Sequence, residues 1–119
     1  MEYPHETSVL VLHAAAVADA VGAVVPCAGL ATVAVQVFGT VTTATITFEG
    51  TIDGYTWTTV LGWNRTTGVK ASTATAAGQW VFNVIGLTGF RANLDWTAGS
   101  INVVAKGSSI PITTLATAA

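Results

Sequence analysis

Charged side chains are scarce in this sequence. Only 8% of the 119 residues are Asp, Glu, Lys or Arg, against roughly a quarter in an ordinary soluble domain. The surface must therefore consist largely of Thr, Ser, Ala, Gly and Asn, and so weakly charged a surface favours association between copies. We expect a homo-oligomer. Nucleic-acid binding is not expected, because contacts to phosphates need clustered Lys and Arg side chains. The four basic residues of this sequence are scattered: Arg65, Lys70, Arg91 and Lys106.

Cysteine and histidine are nearly absent as well. The single Cys27 cannot form an intrachain disulfide or make a zinc site by itself, so we interpret it as a small core or interface residue. His5 and His13 lie near the N-terminus without a Ser or Cys at a spacing that suggests catalysis. No Gly-rich phosphate loop, metal-ligand spacing or nucleophile elbow occurs. The sequence predicts a protein that is not an enzyme and holds no metal or cofactor.

Signals for secretion and membrane insertion are also lacking. Residues 1–6 are acidic where a signal peptide begins with basic residues. The apolar stretch 14–37 is mostly Ala and Val and contains Asp19, Pro26 and two glycines, so it would insert poorly into a bilayer. We therefore expect no membrane association.

Short runs of β-forming residues fill most of the sequence. Threonine supplies about one residue in six, and β-branched side chains fit a pleated surface. Gly, Asn, Asp and Pro divide the runs at intervals of about ten residues, which is typical of a sandwich or barrel. The length fits a single domain. The sequence predicts an all-β, antiparallel β-sandwich of jelly-roll or Ig-like type, with an extended N-terminal arm.

Alternating hydropathy places the strands. The clearest are residues 31–38, with three valines facing inward, and residues 44–51, with Ile46 and Phe48 inward. Gly39 separates these two strands, and a turn at residues 98–99 separates two later ones. The other predicted strands are residues 7–13, 21–26, 55–62, 69–76, 80–84, 90–96 and 100–105, with a last edge strand around Pro111.

The N-terminal arm is the part least suited to the predicted core. Residues 1–30 form this arm and residues 31–119 the sandwich body, within one domain. Residues 14–20 fit either one or two helical turns or an extended segment. A segment that cannot bury itself in its own small core can add to the sheet or groove of another chain. We therefore expect residues 1–30 to contact a neighbouring subunit.

Two acids could carry chemistry. Glu49 and Asp53 lie four residues apart, where a strand runs into a turn. Paired carboxylates can hydrolyse a glycosidic bond, and acids with turn carbonyls can hold Ca²⁺. However, Asp53 before Gly54 is the ordinary pair of a type I′ hairpin turn. We favour that structural role over catalysis and over a calcium site.

Arg91 stands in an otherwise apolar strand. An unpaired buried charge is costly, so this arginine needs a partner or a route to solvent. We favour pairing with Glu49 across neighbouring strands, which would fix the register of the sheet. A solvent-facing arginine and a ligand-binding arginine are the alternatives.

Four tryptophans are many for this length. Alternation predicts that Trp57 and Trp80 pack in the core, whereas Trp63 at a loop edge is predicted to be exposed. Exposed tryptophans on a sandwich face can stack on sugar rings. A carbohydrate-binding surface is therefore the alternative, with Trp63, Tyr55 and Trp96 as contacts to a ligand or partner.

Part of the chain resembles a pattern common in tailed-phage genomes. The matching stretches, within residues 30–105, are VAVQVFGT at 33–40, ATITFEGTIDGYTW at 44–57, GQW at 78–80, Arg91, and GSINV at 99–103. Proteins with this pattern are small β-sandwich virion components of the head-decoration, head-fibre or tail-associated type. By this resemblance the framework residues are Glu49, Asp53, Gly54, Trp57 and Arg91. We add Trp80, which alternation places in the core.

The resemblance implies a structural role. We predict a non-enzymatic virion component, made in the bacterial host cytoplasm, and most specifically a capsid decoration protein. It would bind the major capsid protein or another virion protein and stabilise the particle. The alternative is a carbohydrate-binding module or sugar-binding tail domain. An adhesin or pilus-type subunit is disfavoured because no signal peptide is evident.

Overall fold

A computed structural model describes residues 7–111, and their strands form one antiparallel sheet. The nine strands are β1 Leu10–Ala16, β2 Val25–Pro26, β3 Thr32–Thr51, β4 Thr58–Thr59, β5 Gly62–Asn64, β6 Lys70–Ala71, β7 Thr73–Ala74, β8 Gly78–Asn83 and β9 Gly89–Ser108. No helix long and apolar enough to span a membrane occurs between residues 7 and 111. The all-β, antiparallel prediction is confirmed.

Two long strands organise the sheet. β3 and β9 each contain 20 residues and pair antiparallel from Thr32 opposite Ser108 to Thr51 opposite Gly89. The other edge of β9 carries β1 and β2, while the other edge of β3 carries β8, β7 and β4. The main strand order is β1-β9-β3-β8-β5-β6. The pairing of β3 with β9 determines which residues share a face of the sheet.

Both long strands change their inward-facing residues at the same level. In β3 the buried residues are odd-numbered from 33 to 37 and even-numbered from 44 to 50. Because side chains alternate along a strand, such a change needs an irregularity. Register shifts between Thr40 and Ala44 provide it. We call this level, residues 40–43 of β3 with residues 96–100 of β9, the bend.

The strand end predicted at Gly39 and the turn predicted at residues 98–99 are not observed. Both strands continue through these positions, where Gly39 has a φ of 104° and Gly99 a φ of 98°. Glycine accepts positive φ in a bulged strand as readily as in a turn. The sequence signal therefore marked two positions with unusual backbone conformation, but the interpretation of them as the ends of separate strands was wrong.

The predicted pair of stacked sheets is replaced by one sheet that curls into a half-barrel. Its inner face is closed by a set of rings: Phe48 lies 4.6 Å from Phe82 and 6.2 Å from Phe90, and Phe82 lies 4.8 Å from Phe90, between centroids. The other large, fully buried side chains are Ile46, Leu94, Ile101, Val25, Val33, Val35, Val37, Val84 and Val103. Alternation identified the inward residues of β3 correctly. It does not specify whether a second sheet or the same sheet, curling, covers them.

Several shorter strands differ from their predicted bounds. The predicted strand 55–62 is replaced by β4 and β5, and the predicted strand 69–76 divides into β6 and β7. β9 ends at Ser108, so Pro111 lies outside the strands, and the rest of the predicted last strand, including Ile112, lies outside the described residues. Thr- and Ala-rich runs give weak strand boundaries because their small side chains bring little packing.

The described part of the predicted arm belongs to the sheet. β1 pairs with β9, with Leu10 opposite Ala105, and Leu12, Val25, Cys27 and Leu30 are buried in the core. The assumption that this segment cannot bury itself in its own core is therefore not met for residues 7–30. Its contact with a neighbouring subunit stays a prediction.

Candidate functional site

A groove crosses the outer face of the sheet, opposite the buried core. Its volume is about 220 Å³. It lies on the side of the bend where β3 pairs with β8, and we call it the outer groove. The outward side chains that line it are Val9, Ala34, Gln36, Arg65, Gln79, Val104 and Lys106.

The register explains why these side chains meet. Gln36 of β3 is paired with Val104 of β9 on one side and with Gln79 of β8 on the other. Ala34, two residues earlier and so on the same face, is paired with Lys106. Arg65 joins the row because its backbone N–H donates to the carbonyl of Gln79. The groove thus has an apolar floor, two carboxamides and two basic residues.

The charged residues that the structure describes divide along the pair of long strands, β3 and β9. Of the four basic residues, Arg65, Lys70 and Lys106 lie on the groove side of the bend, with the Lys70 ammonium 5.1 Å from the Trp63 ring centroid. The acidic residues that the structure describes all lie on the other side of the bend: Asp19, Glu49, Asp53 and Asp95. Among residues 7–111, the charged side chains on the groove side of the bend are therefore all basic.

The second polar cluster is the one predicted between Glu49 and Arg91. These residues are direct cross-strand partners, and Arg91 Nε donates to Glu49 Oε1 at 2.7 Å. The Arg91 guanidinium also lies 4.1 Å from the Trp57 ring centroid. The predicted pair is confirmed. The two charges pair with each other and a ring covers the guanidinium, so this cluster joins β3 to β9. Its charged groups already have partners and are poorly placed to bind a ligand.

Asp53 organises the loop after β3. Its carboxylate accepts the N–H groups of Tyr55 and Thr56 at 2.8 and 2.7 Å, and the Thr56 hydroxyl at 2.9 Å. These bonds hold the pKa of the Asp53 carboxyl well below its usual range. The return strand starts only at Thr58, so the connection is longer than the predicted two-residue hairpin. Within residues 7–111, no group of three acidic, His or Cys residues could hold a metal.

Acid should destabilise this loop through Asp53. A carboxyl whose pKa is lower in the folded state stabilises the protein above its unfolded pKa of about 3.9, and this contribution is lost as pH falls below that value. In urea unfolding between pH 6 and pH 2, stability should fall more steeply for the natural protein than for Asp53→Asn. Equal pH dependence of the two proteins would contradict the lowered pKa.

The four tryptophans lie in four separate environments. Trp80 is buried, as predicted. Trp57, predicted in the core, is half-buried in the loop before β4, where the Arg91 guanidinium lies 4.1 Å from its ring centroid. Trp63, predicted to be exposed, is half-buried beneath Lys70. Trp96 is half-buried, and its indole N–H donates to the Gly99 carbonyl.

The tryptophans therefore form no exposed row for stacking on sugars. Among the predicted contact residues, only Tyr55 is fully exposed, at 90%. The carbohydrate-binding alternative stays a prediction that rests on this one ring. Retention on immobilised polysaccharide that is lost in Tyr55→Ala would support it.

Cys27 is buried, and burial raises the pKa of its thiol to about 11. Since the thiolate is the reactive form, the folded protein should react slowly with DTNB at pH 8, and the urea-unfolded protein should react at the rate of a free thiol. Rapid reaction in the absence of urea would mean that the segment around Cys27 opens readily.

Sequence reasoning did not find the outer groove. It treated the basic residues as scattered, because Arg65, Lys70 and Lys106 are separated by up to 41 positions in the chain. Only the antiparallel pairing of β9, β3 and β8 brings them to one face. The outward, polar positions of the alternating strands were the available signal. They predict a groove only when the register is known, because the register decides which outward residues are neighbours.

Comparison with solved structures defines the class of fold. The SPBc2 prophage-derived protein YomS superposes with a TM-score of 0.84, covering 92% of this chain and 97% of YomS at 21% identity. The PBSX exported protein XepA superposes with a TM-score of 0.86, covering 92% of this chain and 39% of XepA at 23% identity. This is an all-β fold known from a prophage-derived protein.

The family follows from the sequence match. The XepA family model matches residues 6–109, so the chain belongs to the XepA family. It spans about two fifths of the length of the solved XepA chain and nearly all of YomS. A comparison with curated proteins gives no match.

Proposed function

We propose that this protein is a non-enzymatic phage component that works by binding another protein, most specifically a capsid decoration protein that stabilises the particle. The observation that carries the proposal is the outer groove. Its apolar floor, formed by Val9, Ala34 and Val104, is left open by residues 7–111. An open groove on a surface with so few charges is suited to a protein partner.

Two further observations support the proposal. YomS, which shares the whole fold, is described as prophage-derived. In addition, the most prominent polar cluster outside the groove consists of groups that satisfy each other, Glu49 with Arg91 and Trp57. A partner that covers the groove gains buried apolar area in proportion to the surface removed from water.

The test is co-sedimentation with phage particles. Purified protein is mixed with heads and, separately, with tails of the source phage, and the particles are separated on a density gradient. Gln36→Glu places a carboxylate in the groove at nearly constant volume, and Thr97→Glu adds the same charge at an exposed position on the bend. We expect the natural protein and Thr97→Glu to move with heads, and Gln36→Glu to stay at the top.

Other positions of the protein in the gradient would contradict all or part of the proposal. Binding to tails alone would keep the structural role and move it away from the capsid. Protein that remains at the top with both kinds of particle would contradict the structural role itself.

We also propose that the protein self-associates. Its N-terminal segment exposes Val9, Val11, Val17, Val21 and Val24 to solvent, each by 47% or more, and few charges keep copies apart. Sedimentation equilibrium should give a mass that is a multiple of 12.1 kDa. A single species of 12.1 kDa at all protein concentrations would contradict self-association.

A further inference from the structure

We propose that a cavity between Trp80 and the segment that carries β6 and β7 binds a neutral sugar ring. The cavity has a volume of about 210 Å³, and we call it the inner cavity. Its lining includes Asn64, Thr67, Thr73, Thr75, Ala77 and Trp80. This inference goes beyond the proposed function, because it adds a second binding site whose ligand is a small molecule.

The topology of the sheet creates the inner cavity. β6 pairs with β5, and β7 pairs with β3 beyond the bend. β8 lies between β3 and β5 in the sheet, so the chain from Ala71 to Ala77 crosses over the inner side of β8. Trp80 lies on that side, with its ring centroid 5.7 Å from that of Phe48. The crossing segment contains only Ala, Ser and Thr, and such small side chains leave space over the strand.

The floor of the inner cavity carries a hydrogen-bond donor without an acceptor. Trp80 and Ala74, which line the cavity, are buried in the core, whereas Ala76 and Ala77 are exposed at its rim. The indole N–H of Trp80 has no hydrogen-bond partner among residues 7–111. A buried donor without an acceptor loses free energy relative to the same donor in water. A ligand oxygen that reaches the floor would accept this N–H and recover that free energy.

The rim of the cavity supplies amide and hydroxyl groups. Asn64 Oδ1 accepts the N–H groups of Thr66 and Thr67 at 2.9 and 3.1 Å, so the other end of this carboxamide, its NH₂ group, can donate to a ligand. The hydroxyls of Thr73 and Thr75 can both donate and accept. Within residues 7–111, no charged side chain lines the cavity. The lining therefore favours a neutral ligand, because a charged ligand would lose water without gaining a counter-charge.

A sugar ring fits the size and the mixed chemistry of the cavity. A protein cavity of about 150 Å³ can hold a benzene ring, so 210 Å³ is enough for a six-membered ring with part of its hydroxyl groups. The C–H groups of a sugar can pack against Ala71, Ala76 and Ala77, which also line the cavity, while its hydroxyls bond to the rim. This site differs from a stacking surface, because Trp80 contributes the N–H at its edge and its ring stays in the core.

The inference is tested by NMR with sugars that differ in charge. ¹⁵N-labelled protein at pH 6 is titrated with three neutral hexoses, glucose, galactose and mannose, and with two charged sugars, glucosamine and glucuronate. The indole N–H signal of Trp80 is assigned by its loss in Trp80→Phe. The indole signals of Trp57, Trp63 and Trp96 are internal references.

We expect at least one neutral hexose to shift the Trp80 indole signal saturably and to leave the other three indole signals in place. The two charged sugars should bind at least about tenfold more weakly, because the cavity offers them no counter-charge. Trp80→Phe keeps a ring and removes the donor, so it should weaken binding by about fivefold, the effect of one neutral hydrogen bond. Backbone signals of residues 73–77 report binding in this variant.

A matched pair of variants locates the site. Ala77→Leu fills the cavity from an exposed position and should abolish the shift of the Trp80 signal. Ala98→Leu makes the same change at an exposed position on the bend and should bind the hexose as the natural protein does. Urea unfolding verifies that both variants are folded.

Three outcomes would overturn the inference. A Trp80 signal that no neutral hexose moves would show that no sugar reaches the floor, and that water alone satisfies the indole N–H. Equal binding of neutral and charged sugars would contradict selection by the uncharged lining. Binding that survives in Ala77→Leu would place the sugar elsewhere on the protein. Co-sedimentation with phage heads does not depend on any of these results, so the proposed function is tested separately.

Discussion

Replacing Phe48 with alanine is expected to lower the free energy of unfolding by about 3–5 kcal/mol. Phe48 is fully buried, and its ring contacts Phe82, Phe90 and Trp80 at centroid distances of 4.6, 6.2 and 5.7 Å. These partners come from β8 and β9, so the ring connects strands on both sides of β3 across the inner face. Its removal leaves a cavity where the curled sheet closes on itself. Urea unfolding followed by tryptophan fluorescence measures the loss.

Phe38→Ala is the matched control. Phe38 is on the same strand but 41% exposed, on the outer side of the sheet, so its loss should change stability by about 0.5 kcal/mol or less. A loss as large as that of Phe48→Ala would mean that Phe38 is covered, for example by another copy. Since small domains are stable by only about 5–15 kcal/mol, Phe48→Ala is expected to leave a marginally folded protein.

Replacing Arg91 with methionine is expected to cost about 1–3 kcal/mol, because the Glu49 carboxylate would lose its charged donor in a half-buried position. The side chains of Arg91 and Glu49 are only 18% and 16% exposed. Methionine keeps an unbranched stem for contact with Trp57, so the change tests the charge and not the packing. The same urea unfolding experiment measures it.

A double-mutant cycle measures the coupling energy between Glu49 and Arg91 separately from the contribution of each residue. Glu49→Gln alone should also destabilise the protein, since it leaves the Arg91 guanidinium without its counter-charge. The double variant Glu49→Gln/Arg91→Met should lose less than the sum of the two single losses. Additive losses would show that the two residues are not coupled. Because the pair connects directly opposed positions of β3 and β9, coupling would support its role in fixing the register.

Much of the local structure could be predicted from the sequence. Alternation identified the inward residues Val33, Val35, Val37, Ile46 and Phe48, all of which are buried. The cost of a lone buried charge predicted a partner for Arg91 and named Glu49. These inferences succeeded because they depend on side-chain periodicity and on the cost of moving charge out of water. Both are properties of a segment or a pair that hold in any fold.

The tertiary structure decided the rest. The sequence determined that the chain forms antiparallel strands, and it identified the buried face of β3 and the turn residue Gly54, which has positive φ. It could not show that Gly39 and Gly99 permit a bend, because a bulge and a turn require the same backbone conformation. Nor could it show that one sheet curls over its own core, or that distant basic residues line one groove. Those features depend on which strands pair and in what register, and register is fixed only when the whole sheet forms.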